Sequence, residues 1–437
     1  MTASGAVWRN WGRTESVQPA RVERPATVDA VQRAVAAAAR QGMRIKAVGA
    51  GHSFTGIAVA PGVQLDLDDI SGVVAVDAAR GRVTLLAGTR LHDLPRLLAP
   101  HGLALQNMGD IDRQTIAGAT STGTHGTGGG FGGLATQIVA LTLVTGSGEL
   151  LRIAEDENPE LLPAARLGLG ALGVIVDITL QCVPAFLLQA VERPEPLQAT
   201  MESYLERSAA EDHFEFYWFP HTETALTKTN TRLPLGAGRS PLSRIGRWRD
   251  DELLANGVYR GVCAAGRLVP AIVPPFNRLA QRLTGNRDFT DASPRVFVTD
   301  RTVRFREMEY ALPRAAVPEA LAEVKALIER RGWRISFPIE VRSAAADANW
   351  LSTAYGRETG YIAVHRYYRE DPAEYFRGVE EIMTAHAGRP HWGKLHTRDA
   401  SALRELYPRF DAFVAARDRL DPDRRFANEY LTRVLGP

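Results

Sequence analysis

Two glycine-rich tracts in the first third of the chain, Val48-Gly-Ala-Gly-His-Ser-Phe54 and Thr120-Ser-Thr-Gly-Thr-His-Gly-Thr-Gly-Gly-Gly130, restrict what it can fold into more than any other feature. A strand that ends in glycines leaves backbone N–H groups able to turn towards an anion, because glycine reaches conformations closed to other residues. The apolar-rich run from Arg44 to Val48 delivers the first tract, and His52 sits inside it. Alone, Gly49-Ala50-Gly51-His52 reads equally well as a turn whose histidine caps a helix or bonds a carbonyl. It is not the dinucleotide fingerprint, in which three spaced glycines open a helix. The second tract, with its small hydroxyl residues and many N–H donors, suits a pyrophosphate lying flat against backbone. Two such tracts in one domain are harder to dismiss as turns.

The elements around them follow from periodicity. Thr27 is placed to cap a helix with an apolar face of Val28, Val31, Val35 and Ala38, ended by Gly42. Strands are expected at 63–67, 73–76 and 83–86, a helix at 91–98, and a hairpin of 138–145 with 149–153 across Gly146-Ser147-Gly148. A helix at 160–167 and a strand at 172–183 complete the first part. Short strands mixed with helices predict an α+β domain and disfavour a doubly wound dinucleotide fold. At 437 residues the chain exceeds the roughly 250–300 at which single cores stop growing, so two domains are expected, 1–185 and 186–437. Glu192-Arg-Pro-Glu-Pro196 reads as a linker and 233–251 as an irregular connection. Helices at 318–331, 372–386 and 400–417, alternating with strands at 303–310, 334–341 and 361–367, predict a second α+β domain.

Charge and cysteine use narrow the function. Fifty-two basic and 50 acidic residues without long blocks give no electrostatic footprint for nucleic acid. Cys182 and Cys263 form no C-x-x-C pair, so neither a disulfide framework nor a structural zinc site is expected, and no other metal cluster stands out. Without an 18-residue apolar run or an N-terminal h-region, the expectation is a cytoplasmic protein, with peripheral membrane association left open.

Three further stretches offer chemistry beside a bland alternative. In the strand expected at 334–341, alternation puts Ile335, Phe337, Ile339 and Val341 on one face and Glu340 and Arg342 on the other. The bland reading is a solvated ion pair worth roughly 0–1 kcal/mol. Read as extended chain, Trp392, Lys394 and His396 share a face; the alternative is a surface strand with a snorkelling lysine. Phe214 to Phe219 reads as sheet core with one edge available to a pocket, and His101, His365 and His386 read as structural.

Taken together, the run 44–66, the tract 118–128 and Ala165-Arg-Leu-Gly-Leu-Gly-Ala-Leu-Gly-Val174 resemble the FAD-binding domain of the vanillyl-alcohol-oxidase superfamily. Within it, Trp8-Arg-Asn-Trp11, Phe305-Arg-Glu-Met-Glu-Tyr310, Phe337-Pro-Ile-Glu-Val-Arg342, Arg389-Pro-His-Trp-Gly-Lys-Leu-His396 and Asp421 to Tyr430 resemble the aldonolactone oxidoreductases, nearest the gulonolactone dehydrogenases. The resemblance spans nearly the whole chain. It implies a two-domain α+β flavoprotein whose C-terminal tail, from about 410 to 437, packs back on the FAD domain. It implies FAD contacts from Gly49, Ala50, Gly51, His52 and Ser53, from Gly118, Ser121, Thr122, Gly123, Thr124, His125 and Gly126, and from Gly173 and Val174, with His52 bonded to the flavin 8α-methyl.

For the chemistry, the resemblance implies oxidation of a sugar lactone at its C2 hydroxyl, the hydride passing to flavin N5. By the same resemblance Glu340 is expected to bind substrate hydroxyls, Arg342 to stabilise developing negative charge and Lys394 to lie near the flavin pyrimidine edge, with His396 as a further candidate. The resemblance implies a cytochrome-type carrier or oxygen as electron acceptor, with Gly123 and Thr124 in the tract expected to gate access. The rival readings are an alditol oxidase and, more distantly, a nucleotide-binding module without chemistry.

Overall fold

The computed structural model describes residues 6–243, 259–283, 285–299 and 303–437. Thr27 caps the first helix, its side chain accepting from Ala30 N–H, and Val28–Arg40 buries Val31, Ala34, Val35 and Ala38 one turn apart. The chain then enters strand Ile45–Val48, which lies parallel to Val63–Asp66, itself parallel to Arg21–Glu23. A five-stranded antiparallel sheet follows, with neighbours in the order 150–154, 138–144, 174–181, 82–86 and 73–77. The expected hairpin, Ile138–Val144 with Leu150–Ala154, is present in it, and the expected strands Val73–Asp77 and Arg82–Leu86 pair antiparallel beside it. An eight-stranded antiparallel sheet in the rest of the chain has the order 287–292, 186–196, 224–234, 213–218, 339–344, 359–367, 305–313 and 389–390. Helices Leu197–Ala210, Val317–Arg331 and Ala373–Ala385 contribute buried side chains to the apolar cluster on one face of that sheet.

The last part of the chain returns to the first core. Phe410, Phe413, Phe426 and Leu431 join the same apolar cluster as Val31, Ile45 and Leu65. Ile45 N–H donates to Arg425 O at 2.8 Å, and the Lys46 ammonium donates to Gly170 O at 3.0 Å and Phe426 O at 3.3 Å. Asn428 donates to Gly56 O and Val59 O, both at 2.9 Å, and its own Oδ1 caps the final helix Glu429–Leu435. These contacts fix the loop that opens at Gly49 from behind.

Four expectations need correction. Glu192–Pro196 is not a linker but the end of strand Phe186–Pro196. Residues 187–192 are paired on both sides, whereas Pro194 and Pro196 have a partner on one side only, where a missing N–H breaks no second ladder. The helix expected at 400–417 is two helices, Ala400–Leu406 and Phe410–Leu420, because Pro408 forces Tyr407 to the extended region at φ −111° and ψ 106°. The strand expected from Arg334 begins only at Ile339, after Pro338. Of the irregular connection expected at 233–251, the first two residues end a strand, and 244–251 lie outside the described residues.

Candidate active site

Period-two alternation in the eight-stranded sheet builds the polar wall of the site. Register sets Tyr217 opposite Glu340, Glu340 opposite Ala363, and Ala363 opposite Glu309, so all four project from one face. One step along, Arg342 stands opposite Tyr361, and one step the other way Glu307 stands opposite His365. The intervening residues Phe216, Trp218, Met308, Tyr310, Ile339, Val341, Ile362 and Val364 fill the apolar core on the other face. Each buried apolar side chain there contributes about 1.5–3 kcal/mol, and a one-residue slip would exchange the faces, so the core fixes the polar wall.

Against this wall lies a cavity of about 760 Å³, its mouth included, lined by Asp110, Glu307, Glu309, Glu340, Arg342 and Lys394 together with His52, Ser53, Thr122, Thr124, His125 and His391. A second cleft of about 840 Å³ runs between the glycine tracts, lined by Gly49, Ala50, Gly51, Gly118, Ser121, Gly170 and Gly173 among others. The two spaces share His52, Ser53, Gln114 and Thr122, so His52 stands at their junction. Loop and wall are tied together by Phe54 N–H donating to Gly393 O at 2.7 Å and Thr55 Oγ1 donating to Trp392 O at 3.0 Å.

The cleft fits an elongated anionic cofactor such as FAD. No Asp or Glu lines it, and five glycines lie along it, Gly49, Gly51, Gly118, Gly170 and Gly173. A Cβ at Gly49 would stand 2.5 Å from Thr115 Oγ1, and one at Gly173 would stand 2.6 Å from Val144 O. Burial, followed by the charges of Lys394, Arg90 and Arg113, pushes the His52 imidazole down to about 4, so at neutral pH it is an uncharged ring with a lone pair available. It stacks on Trp11 with centroids 5.8 Å apart.

In the cavity against the polar wall, charges are arranged in three groups. Arg342 is ringed by Asp110, Glu340 and Glu215, the last with its Oε2 3.1 Å from Nε, and Tyr217 OH reaches Glu340 at 3.3 Å. Burial acts to lower the guanidinium's pKa, but Asp110, Glu340 and Glu215 more than reverse that and hold it charged. Lys394 pairs with Glu307, whose Oε1 is also 3.6 Å from His365 Nε2. Burial acts to raise the Glu307 carboxyl, but Lys394 and His365 bring it down to about 2. Third, His125 directs Nδ1 at Gly126 O, 2.8 Å away, and Nε2 at Glu309, 3.2 Å away, while stacking on Tyr361 at 3.7 Å.

His125, Glu309 and His391 bring ligand atoms within 4.8 Å of one another, a spacing a metal could use. The His391 ring is already committed, however: Nδ1 accepts from Gly393 N–H and Nε2 donates to Gly123 O, both at 3.1 Å. Burial first, and then Lys394 and His125 against Glu309, leave it at about 4 and neutral.

Of the residues expected from sequence, Gly49, Ala50, Gly51, His52, Ser53, Gly118, Ser121, Thr122 and Gly173 line the cleft. Thr124 and His125 instead line the cavity against the polar wall with Glu340, Arg342 and Lys394; Gly123, Gly126 and Val174 line neither space. The far half of the second tract is stitched to the large sheet, Gly128 N–H donating to Ser343 O at 2.9 Å. A Cβ at Gly128, where φ is +131°, would stand 2.5 Å from Asp212 O, so this glycine serves close packing rather than an anion. His396 is a correction. Residues 391–396 turn, with Lys394 N–H donating to His391 O at 3.0 Å, instead of running extended. His396 therefore does not line the cavity; its Nε2 meets Tyr430 OH at 2.9 Å beside the C-terminal helix.

Sequence reasoning missed Asp110, Glu215, Tyr217, Glu307 and Glu309. The signal for four of them was polar residues alternating with aromatic or apolar ones in His213–Trp218 and Phe305–Pro313. Asp110, on an irregular connection, left none.

The D-arabinono-1,4-lactone oxidase family matches residues 178–434, and an FAD binding domain matches residues 19–154. An L-gulono-1,4-lactone dehydrogenase of Mycobacterium tuberculosis is 46% identical over 432 residues, covering 99% of both chains. An L-gulonolactone oxidase of Bos taurus is 34% identical over 440 residues, covering 99% of this chain and 98% of the relative. Among solved structures, cholesterol oxidase from Brevibacterium sterolicum superposes with a TM-score of 0.81 at 19% identity, over 100% of this chain and 97% of that one. The fold is thus the two-domain α+β vanillyl-alcohol-oxidase type that the resemblance implied.

Proposed function

We propose, on the premise that this chain belongs to the D-arabinono-1,4-lactone oxidase family, that it uses FAD to oxidise a sugar 1,4-lactone such as L-gulono-1,4-lactone at its C2 hydroxyl, giving an ascorbate-type product. The observation that carries this reading is the junction at His52 between a carboxylate-free, glycine-walled cleft and a cavity rich in carboxylates. The first suits a diphosphate and the second suits ring hydroxyls. We assign the FAD domain to residues 1–185 and the substrate domain to 186–437.

FAD, when bound, supplies the two-electron acceptor for the hydride that leaves C2. Glu340 accepts hydrogen bonds from substrate hydroxyls, with Tyr217 holding its carboxylate in place. Arg342 presents a fixed positive charge to the C2 oxygen, where negative charge develops in the transition state, already oriented by the carboxylates around it. Lys394 supplies a second cation beside His52, kept in the cavity by Glu307. His52 offers a neutral nitrogen for a histidyl bond to the cofactor's 8α carbon. Glu307 and Glu309, each paired to a cation-forming group, complete a wall that keeps its charges in the absence of bulk water.

For electrons leaving the enzyme, we propose a carrier of cytochrome type with oxygen as a poor substitute, in keeping with the dehydrogenase relative at 46% identity. No helix among the described residues is long and apolar enough to cross a membrane. Turnover on a panel of aldonolactones and alditols, with a dye or with oxygen as acceptor, tests the whole reading. We expect lactones to be preferred over alditols and dye to be reduced faster than peroxide forms. A preference for alditols would replace this function with the rival one.

A further inference from the structure

We infer that Glu307, held between Lys394 and His365, sets how readily the bound flavin takes up electrons, by tempering the positive charge that Lys394 brings to the His52 junction. This rests on the proposed FAD site and adds a control over its chemistry. Glu307 and His365 are cross-strand partners in the large sheet, and the Glu307 carbonyl accepts from Leu395 N–H at 2.9 Å, one residue beyond Lys394. The backbone therefore sets acid and lysine side by side. The carboxylate pairs with the Lys394 ammonium through Oε2 and faces His365 Nε2 at 3.6 Å through Oε1, while His365 Nδ1 is turned to Pro338 O at 2.9 Å. Both of its oxygens are thus engaged.

Lys394 adjoins the cofactor loop on its other side. Its Nζ lies 5.4 Å from the centroid of the Phe54 ring, and Gly393 O next to it accepts from Phe54 N–H at 2.7 Å. After burial, Lys394 is the strongest influence depressing the His52 imidazole, so its charge is felt at the point proposed for flavin attachment. Reduction adds negative charge to a flavin, so a nearby cation favours the reduced form and a nearby carboxylate opposes it. The Glu307 side chain is only 7% exposed, which leaves its charge little screened by water. Glu309, two residues on, pairs instead with His125, 3.2 Å away. A flavin tempered by Glu307 is a poorer acceptor of the hydride and a better donor to the carrier that follows.

The test is the midpoint potential of the flavin, read on the intact FAD-loaded enzyme by anaerobic equilibration with reference dyes, which needs no substrate. Glu307→Gln, which removes the charge and keeps the shape, is expected to shift the reduction equilibrium at least tenfold towards the reduced flavin, about 30 mV upwards for two electrons. Lys394→Met is expected to shift it at least tenfold the other way, and the double variant to return within threefold of the wild type. A merely structural Glu307 would change stability or FAD content and leave the potential alone. If Glu307→Gln loses its FAD, the double variant, in which neither charge of the pair is left alone, is compared with Lys394→Met, and the same tenfold upward shift is expected. A potential that Glu307→Gln lowers or leaves within threefold of the wild type, or a double variant no higher than Lys394→Met, overturns the inference while leaving lactone oxidation standing. Failure of the wild type to oxidise any aldonolactone overturns the functional reading instead, and a wild type that holds no flavin overturns both.

Discussion

An Arg342→Lys variant is expected to keep its fold and its FAD while its flavin is reduced by lactone roughly 10²–10³ times more slowly, the usual cost of removing one preorganised transition-state donor. Lysine preserves the charge that Asp110, Glu215 and Glu340 require, but it has no planar fork to reach all three and the substrate oxygen together. Alanine is the less informative change. It would take the guanidinium away from three buried carboxylates and cost about 3–5 kcal/mol of stability, mixing unfolding with chemistry. Anaerobic stopped-flow separates the two effects, since it reads reduction only in molecules that hold FAD. An unchanged reduction rate in Arg342→Lys would remove Arg342 from the chemistry and leave it as a structural counter-ion.

His52→Ala is expected to convert covalent attachment from complete to nil. After acid precipitation, all yellow colour should appear in the supernatant for the variant and in the pellet for the wild type. The wild-type reaction also has a defined pH dependence. Because burial and nearby cations depress the His52 imidazole to about 4, the ring is protonated only below that value and carries a free lone pair above it. Apoprotein from riboflavin-starved cells, mixed with FAD, should therefore couple at a rate that rises through about pH 4 and is level from pH 6 to 8. A rate still climbing between pH 6 and 7 would mean an ordinary histidine near 6.5 and a less buried ring. Colour that stays in the wild-type supernatant at every pH would end the covalent assignment.

Local signals made most of the first half of the fold legible. The capped helix Val28–Arg40 and the hairpin of Ile138–Val144 with Leu150–Ala154 are dictated by a cap, a periodicity and a turn within a few residues of each other. Failures came where long-range pairing outweighs local composition. Glu192–Pro196 reads as a linker by its prolines, yet pairing with 224–228 makes it strand. The candidate site divides in the same way. Glu340 and Arg342 stood out because an ion pair two residues apart on a strand must share a face, whereas Glu215, Glu307 and Glu309 become one wall only through cross-strand register. Asp110 meets Arg342 from 232 positions away, a contact no local pattern encodes. His396 failed because its face was argued from extended chain and the chain turns there.

The central claim is that the His52 cleft and the Arg342 wall belong to one machine, an aldonolactone oxidoreductase. It is tested most directly by mixing the wild-type flavoprotein with L-gulono-1,4-lactone in the absence of oxygen and following the visible flavin absorbance. The account predicts rapid bleaching with the lactone, and recovery of the absorbance when an electron-accepting dye is added. A protein that holds FAD but whose absorbance no aldonolactone changes would contradict it.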